Sequence, residues 1–566
     1  MKCLLIAINA KYIHSNLAVY SLKACAEKEG LEAELAEYTI NHRASEILDD
    51  IYMKKADMLC FSCYIWNIEY VKSLVKDLKK LRPDIPIWLG GPEVSFEWEE
   101  RLREIPEADG ILYGEGERSF PELLKHCFRG STLPSGCAFR GPGGKIGFTE
   151  PAEPADMDDL PFVYGDMKEF ENRIVYYETS RGCPFSCSYC LSSVDKRLRF
   201  RSLFLVEREL AFFLDNKVPQ VKFVDRTFNC RKSHAMAVWK YIRDHDNGTT
   251  NFHFEIAADL LDEEELSLIR TMRPGLIQLE IGVQSVKPST ICAIRRKMDL
   301  EKVKSIVKGI KDGRNVHQHL DLIAGLPWED YESFGHSFDE VYAMEPSQLQ
   351  LGFLKVLKGS PMYYDAEKYH ILYQTEAPFE VLSTAWLSHE DIIRLKEVEQ
   401  MVEIYYNSCQ FQNTMEALPA LFESPFRMYE ALGREYKLRG MDKKKHVRSV
   451  LYQFLLEFIS EHFEAETERF RQILTLDYYL REYAKRRPGF AVPEEKYKEL
   501  IRSRCEACFP GAPVKQLLRE KHVERFVPPF TEKEEYWLFD YGKRDPLTGN
   551  AEVFILHGPE KGREEL

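Results

Sequence analysis

The first 125 residues alternate short apolar runs with amphipathic stretches. Runs at 3–10, 33–39, 57–64, 85–90 and 108–113 have strand length, and 17–28 and 68–81 repeat apolar residues with a helical period. This alternation predicts a Rossmann-like, doubly wound parallel sheet. Ligands of such sheets sit beyond the carboxyl ends of the strands, where the turns Gly90-Gly91-Pro92-Glu93 and Gly114-Glu115-Gly116-Glu117 fall. Residues 126–172, with Gly141-Pro142-Gly143-Gly144 and a Pro/Ala/Glu run, have linker composition. A second alternation fills 173–370, with strands expected at 174–179, 220–224, 252–257, 276–281, 318–323 and 348–355. Six β/α units predict a partial (β/α)6 barrel, whose functional residues belong at the strand C-termini. Residues 371–566 change character. Helical periodicity at 391–406 and 446–463 precedes strand-like runs at 536–541 and 552–556, so this region is expected to be mainly helical. It is expected to cover the barrel mouth as a substrate-selecting or lid domain.

Composition narrows the class. A chain of 566 residues holds three or four domains. With 44% hydrophobic and 30% charged residues it can bury sizeable cores. The opening Met1-Lys2-Cys3-Leu4-Leu5-Ile6 reads as a first buried strand rather than a signal peptide. Fourteen cysteines in so long a chain suit a reducing cytosol better than a disulfide framework, and with no apolar run of about 18 residues no membrane span is expected. A formal charge of −14 argues against a surface generally coated with nucleic acid. Two basic stretches, 434–445 and 481–487 (the latter with Lys485-Arg486-Arg487), interleave with Tyr436 and Tyr483 and leave RNA open as a partner; a solvated helix face is the commoner meaning.

The chemistry is concentrated in Arg181-Gly182-Cys183-Pro184-Phe185-Ser186-Cys187-Ser188-Tyr189-Cys190, a C-x3-C-x2-C run after an apolar strand. Three thiolates can hold three irons of a [4Fe–4S] cluster and leave the fourth open. A zinc knuckle would want a fourth ligand, and buried free thiols are the remaining alternative. The spacing, with Tyr189 before the last cysteine, resembles the radical S-adenosylmethionine (SAM) enzymes. That resemblance covers about 173–365 and implies that Cys183, Cys187 and Cys190 bind a cluster whose open iron chelates SAM.

Further motifs follow in the order of that family. Phe223-Val224-Asp225-Arg226-Thr227-Phe228 resembles the segment that meets the amino end of SAM, which implies roles for Asp225 and Thr227. Glu255 ends the third strand, although Ala257 stands where many relatives place an arginine. Glu280-Ile281-Gly282-Val283-Gln284-Ser285 resembles the fourth-strand motif of the branch with methylthiotransferases and cobalamin-dependent members, with Arg296 behind it. Asp321 to Pro327, containing Gly325, resembles the segment that contacts adenine. Acids such as Glu255 or Glu280 suit cationic or hydroxyl groups, Arg296 suits a carboxylate, and Gln284 belongs with the cofactor contacts.

The N-terminal region is similar to the cobalamin-binding domain that precedes many such cores. The similarity implies that Ser62, Gly90, Gly91, Gly114 and Glu115 line a cobalamin site. Domains that give cobalt a histidine carry D-x-H-x-x-G; here only His14 matches, so His14 is expected to be a polar loop residue. Cys60 and Cys63 lie in an expected buried strand, where thiols behave as small apolar groups, and no second cysteine pair or histidine neighbours Cys505 and Cys508 in sequence, so a second metal is not expected. Together these resemblances imply an enzyme that forms a 5′-deoxyadenosyl radical and methylates an unactivated carbon. Radical rearrangement or RNA modification are alternatives with the same cofactors, and a noncatalytic cobalamin/SAM sensor is the alternative of another class. An external electron donor such as flavodoxin or ferredoxin is the expected partner.

Overall fold

The computed structural model describes residues 2–484, 486–493, 497–511, 513–557 and 563–565. Lys485 of the second basic stretch lies outside them. The N-terminal sheet has seven strands. Five are parallel: Cys3–Asn9, Ala33–Thr39, Met58–Ser62, Ile87–Gly90 and Gly110–Leu112. The strand Cys3–Asn9 is buried at every position, as a strand covered on both faces must be. Helices such as Leu17–Lys28 and Ile68–Leu81 supply those covers, with apolar cores on either side of the sheet.

The last two strands come from the segment expected to be linker. Cys137–Arg140 and Ile146–Phe148 add antiparallel to Gly110–Leu112 as a hairpin. The glycine run at 141–144 that suggested a linker is the hairpin turn, with Gly143 and Gly144 at positive φ. Residues 157–164 then form a wall between the two α/β units.

The central sheet contains Val175–Tyr177, Gln220–Phe223, Asn251–Ile256, Ile277–Gln284, His317–Ala324 and Gln348–Phe353, all parallel and in chain order. This is the expected open six-stranded barrel. An open barrel has two unpaired edges, and each is sealed by a different part of the chain. At the first edge, Ile174 N donates to Ile13 O (2.7 Å) and Ser15 Oγ donates to Ile174 O (3.0 Å). The Tyr164 hydroxyl pairs with both backbone groups of Tyr176. At the last edge, Asn407 Oδ1 accepts from Leu349 N (2.9 Å) and its Nδ2 donates to Leu349 O (2.8 Å), while Val381 N reaches Leu354 O (2.8 Å).

Asn407 ends a π-helical turn, Val402–Asn407, that continues the helix His389–Met401. With Pro425–Leu438, Arg448–His462 and Thr467–Arg481 these helices share one apolar core with the barrel. The strand-like tail forms an antiparallel sheet of Lys521–Phe526, Glu535–Arg544, Ala551–Leu556 and Arg563–Glu565. No helix among the described residues is long and apolar enough to cross a membrane. In the basic stretches, Arg439 is held by Glu435, Glu457 and Glu461, and Arg487 by Glu524, so part of the charge is spent internally.

Candidate active site between the two α/β domains

The cysteine loop leaves the first barrel strand at its C-terminal end and is braced from beneath. Asp225, fully buried, accepts from Thr179 N (3.0 Å), Thr179 Oγ1 (2.6 Å) and Ser180 Oγ (2.5 Å). Burial pushes its carboxyl up to about 6 even though those donors oppose the shift. Asp225 therefore holds the loop's root. Gly182 sits at φ +89°, and a β-carbon there would lie 2.4 Å from Arg197 O, so only glycine lets the chain pass. Cys183 N donates to Asp195 O (3.0 Å) and Ser188 N to Ile294 O (2.9 Å).

Cys183 and Cys187 are buried and Cys190 is partly exposed. Thr227 Oγ1 lies 3.7 Å from Cys183 Sγ. Arg296, coming from the fourth β/α unit, places Nη1 3.8 Å from Cys187 Sγ and 3.3 Å from Tyr189 Oη, and Nη2 on Gly282 O. Burial raises the Cys187 thiol, and the Arg296 guanidinium opposes that rise, favouring the thiolate a metal needs. Arg296 Nε and Gln284 Oε1 are buried without partners, as suits a site completed by a polar ligand. A β-carbon at Gly282 would lie 2.2 Å from Gln284 Nε2, so the glutamine's amide would have to move to admit one. The structure thus gathers Cys183, Cys187, Cys190, Tyr189, Thr227, Gln284 and Arg296 at one end of the barrel. Three thiols with a neighbouring cation and orphaned polar atoms fit a three-cysteine cluster with SAM beside it.

Glu280 lies deeper, 3.1 Å from Lys222 Nζ and 3.0 Å from His253 Nε2. Burial raises its carboxyl, but these two partners outweigh burial and hold it at about 2. Glu255 is beside it in register, and burial, opposed by the Arg226 charge, leaves its carboxyl above the ordinary value. Gly325 is at φ +91° against Val381.

Between the N-terminal sheet and the barrel lies a cavity of about 730 Å³. Ser62, Gly90, Gly91, Gly114 and Glu115 all line it, together with His14, Tyr64, Trp66, Tyr176, Arg181 and Arg226. Gly91, at φ +106°, would set a β-carbon 2.6 Å from Cys63 O, while the α-carbon of Gly114 faces open space. Closely approachable backbone around a large cavity suits a bulky cofactor such as cobalamin. Glu115, however, is spent on protein contacts: it chelates Arg199 and lies 3.3 Å from Arg181 Nη1. Arg181 also pairs with Glu117 and Glu178. His14 Nδ1 is 2.7 Å from Tyr176 Oη across the domain boundary.

Sequence reasoning missed Arg181, Tyr64, Trp66 and the wall at 160–164. The apolar Pro161-Phe162-Val163-Tyr164 inside the supposed linker was the available signal. Cys60 lies 3.7 Å from Cys3 in the sheet core, a buried thiol as expected, and no disulfide joins cysteines among the described residues.

Comparison with known proteins agrees with this geometry. Residues 4–124 match the B12 binding domain, 177–341 the radical SAM superfamily, and 367–535 a protein family of unknown function, DUF4080. The chain thus carries, in order, a segment matching the B12 binding domain, one matching the radical SAM superfamily and one matching DUF4080. The radical SAM match implies a [4Fe–4S] cluster and SAM, and the B12 binding match implies cobalamin. It is similar to TokK, a cobalamin-dependent radical SAM methyltransferase of Streptomyces tokunonensis (25% identity; 54% of this chain, 48% of that one). It is also similar to a hopanoid C-3 methylase of Methylococcus capsulatus (24%; 53% and 59%). The chain spans about half the length of the curated relatives it matches. Among solved structures, the methyltransferase TsrM of Kitasatospora setae with cobalamin and cluster bound shares the fold at 18% identity (TM-score 0.55; 65% of this chain, 78% of that one).

Proposed function

We propose that this protein methylates an unactivated carbon, using the cysteine loop and the interdomain cavity as one active site. The observation that carries this reading is Arg181. It stands two residues before Cys183, and its guanidinium is bound to Glu115 and Glu117 on the cavity wall. The two cofactor sites therefore share a structural member. When bound, the cluster with SAM supplies a 5′-deoxyadenosyl radical and cobalamin supplies a methyl group.

The chain's own residues set the geometry. Cys183, Cys187 and Cys190 would hold the cluster, Arg296 would offset part of the burial cost of the Cys187 thiolate, and Thr227 and Gln284 would contact SAM. Asp225 acts through Thr179 and Ser180 to fix the loop. Ser62, Gly90, Gly91 and Gly114 would admit cobalamin, and Tyr176 and Arg226 close the cavity from the barrel side. The DUF4080 domain would enclose the substrate. A one-electron reductant is required by this class, and a flavodoxin or ferredoxin would serve.

The test is anaerobic turnover with SAM carrying a deuterated methyl group. Formation of 5′-deoxyadenosine, and loss of both that product and the cluster's visible absorbance in the Cys183/Cys187/Cys190→Ala variant, is expected. A full cluster retained by the triple variant would overturn the assignment.

A further inference from the structure

The cysteine loop is the tip of a short hairpin. Ser180 and Arg181 pair antiparallel with Phe200 and Arg199, and residues 182–198, with all three cysteines, run between them. A two-stranded hairpin is marginal by itself, and this stem has only two ladder pairs. Two further holds act on it. Asp225 grips it from the barrel side through Thr179 and Ser180. The second hold comes from the N-terminal domain, through the turn Gly114-Glu115-Gly116-Glu117 that follows the parallel strand Gly110–Leu112.

Both strands of the stem reach that turn. Arg181 Nη2 donates to Glu117 Oε1 (2.5 Å), and its Nη1 lies 3.3 Å from Glu115 Oε2. Arg199 donates to both carboxylate oxygens of Glu115. The side chains of Arg181 and Glu117 are 16% and 9% exposed, so salt and water screen their pairing little. Gly114 sits at φ +78° with nothing within 4 Å of where a β-carbon would be. A glycine-bearing turn has many conformations open to it, so its place is set by what lies against it. On one side are Arg181 and Arg199. On the other is the interdomain cavity, which Gly114, Glu115, Gly116 and Glu117 all line.

We propose that this turn is a positioning element for the cluster, through which the cavity and the cysteine loop take up their cofactors cooperatively. A cofactor filling the cavity holds Glu115 and Glu117 against Arg181 and Arg199, and the clamped stem presents the three cysteines in one arrangement. With the cavity unfilled, cluster binding must itself order the turn and the stem, at a cost in conformational entropy. Linkage makes the effect mutual: a chain that holds the cluster binds the cavity's cofactor more tightly by the same factor. The proposal rests on the reading above, that the loop takes a cluster and the cavity cobalamin, and adds how the loading of one site regulates the other.

The experiment titrates hydroxocobalamin by anaerobic equilibrium dialysis, without SAM, against the full chain in iron-free and in cluster-reconstituted form. The reconstituted chain is expected to bind it about 5-fold more tightly or better. Saturating hydroxocobalamin should in turn slow the loss of iron to a chelator. Glu115→Gln with Glu117→Gln should bring the two affinities together. Glu100→Gln removes a different charge at the domain boundary, 3.3 Å from Lys358 Nζ, and should leave the difference in place. Equal affinities in the unaltered chain, or weaker binding after reconstitution, would overturn the proposal without a variant. A difference that survives in the Glu115/Glu117 variant, or vanishes in Glu100→Gln, would overturn it too. No saturable hydroxocobalamin binding by either form would overturn the reading beneath it and the proposal together, whereas equal, saturable binding sinks the proposal alone.

Discussion

At the scale of single residues, the cysteine loop depends on two groups that never touch a cofactor. Gly182 passes 2.4 Å, measured from where its β-carbon would be, from Arg197 O. Gly182→Ala should therefore displace the loop and cost about 1–3 kcal/mol. A lowered thermal midpoint together with reduced iron per chain would show it, and unchanged iron content would contradict it. Asp225 gives a pH signature. Burial raises its carboxyl from an ordinary 3.8 to about 6 in the folded state. Its folded form binds the proton more tightly, so its contribution to stability is full below about 4 and is lost as pH rises through about 6. Asp225→Asn cannot ionise. Urea unfolding of both proteins at several pH values should show the difference between them shifting in the variant's favour from pH 4 to pH 6 and levelling above. The motif made the position of Asp225 readable. Its role was not, because Thr179 and Ser180 approach it from a different strand end.

At the scale of elements, the sequence pattern located all six barrel strands because each alternates polar and apolar residues between recognisable helices. The same alternation sets His253 and Glu255, or His317, His319 and Asp321, two apart and so on one face of the sheet. The hairpin at 137–148 was hidden by its glycines, which read as linker when taken without partners. Edge sealing was beyond any local pattern, because Asn407 meets Leu349 only once a π-helical turn has aimed it. Asn407→Ala removes both bonds to Leu349 and should destabilise the protein by about 1–3 kcal/mol. Hydrogen exchange at the amide of Leu349 should accelerate while that at Leu320, inside the sheet, stays slow. Equal acceleration at both would mean global loosening instead.

At the scale of the whole molecule, the three regions are not separable modules. The DUF4080 helices and the barrel share one core that includes Leu349, Leu395 and Tyr429. A chain truncated after residue 370 should expose that surface and fail to give a monodisperse cooperative fold in sedimentation and thermal scans. A well-folded truncated protein that merely lacks activity would show the third region to be an appendage. The domain boundary between the α/β units is likewise occupied by charge, through Arg181, Arg199 and Arg173 with Glu115, Glu117 and Glu37.

The two sealed barrel edges also impose an order on biosynthesis. The first edge is capped by residues 13–15, already made when the strand Val175–Tyr177 leaves the ribosome. The last strand ends at Phe353, but Asn407 follows 54 residues later. At translation rates of about 5–20 residues per second, that strand waits roughly 3–10 s for its cap. During this interval the nascent barrel presents a bare strand edge that a neighbouring chain's backbone could pair with. Slowing translation across codons 354–407 would lengthen that window, and speeding it would shorten the time in which the edge can pair with another chain.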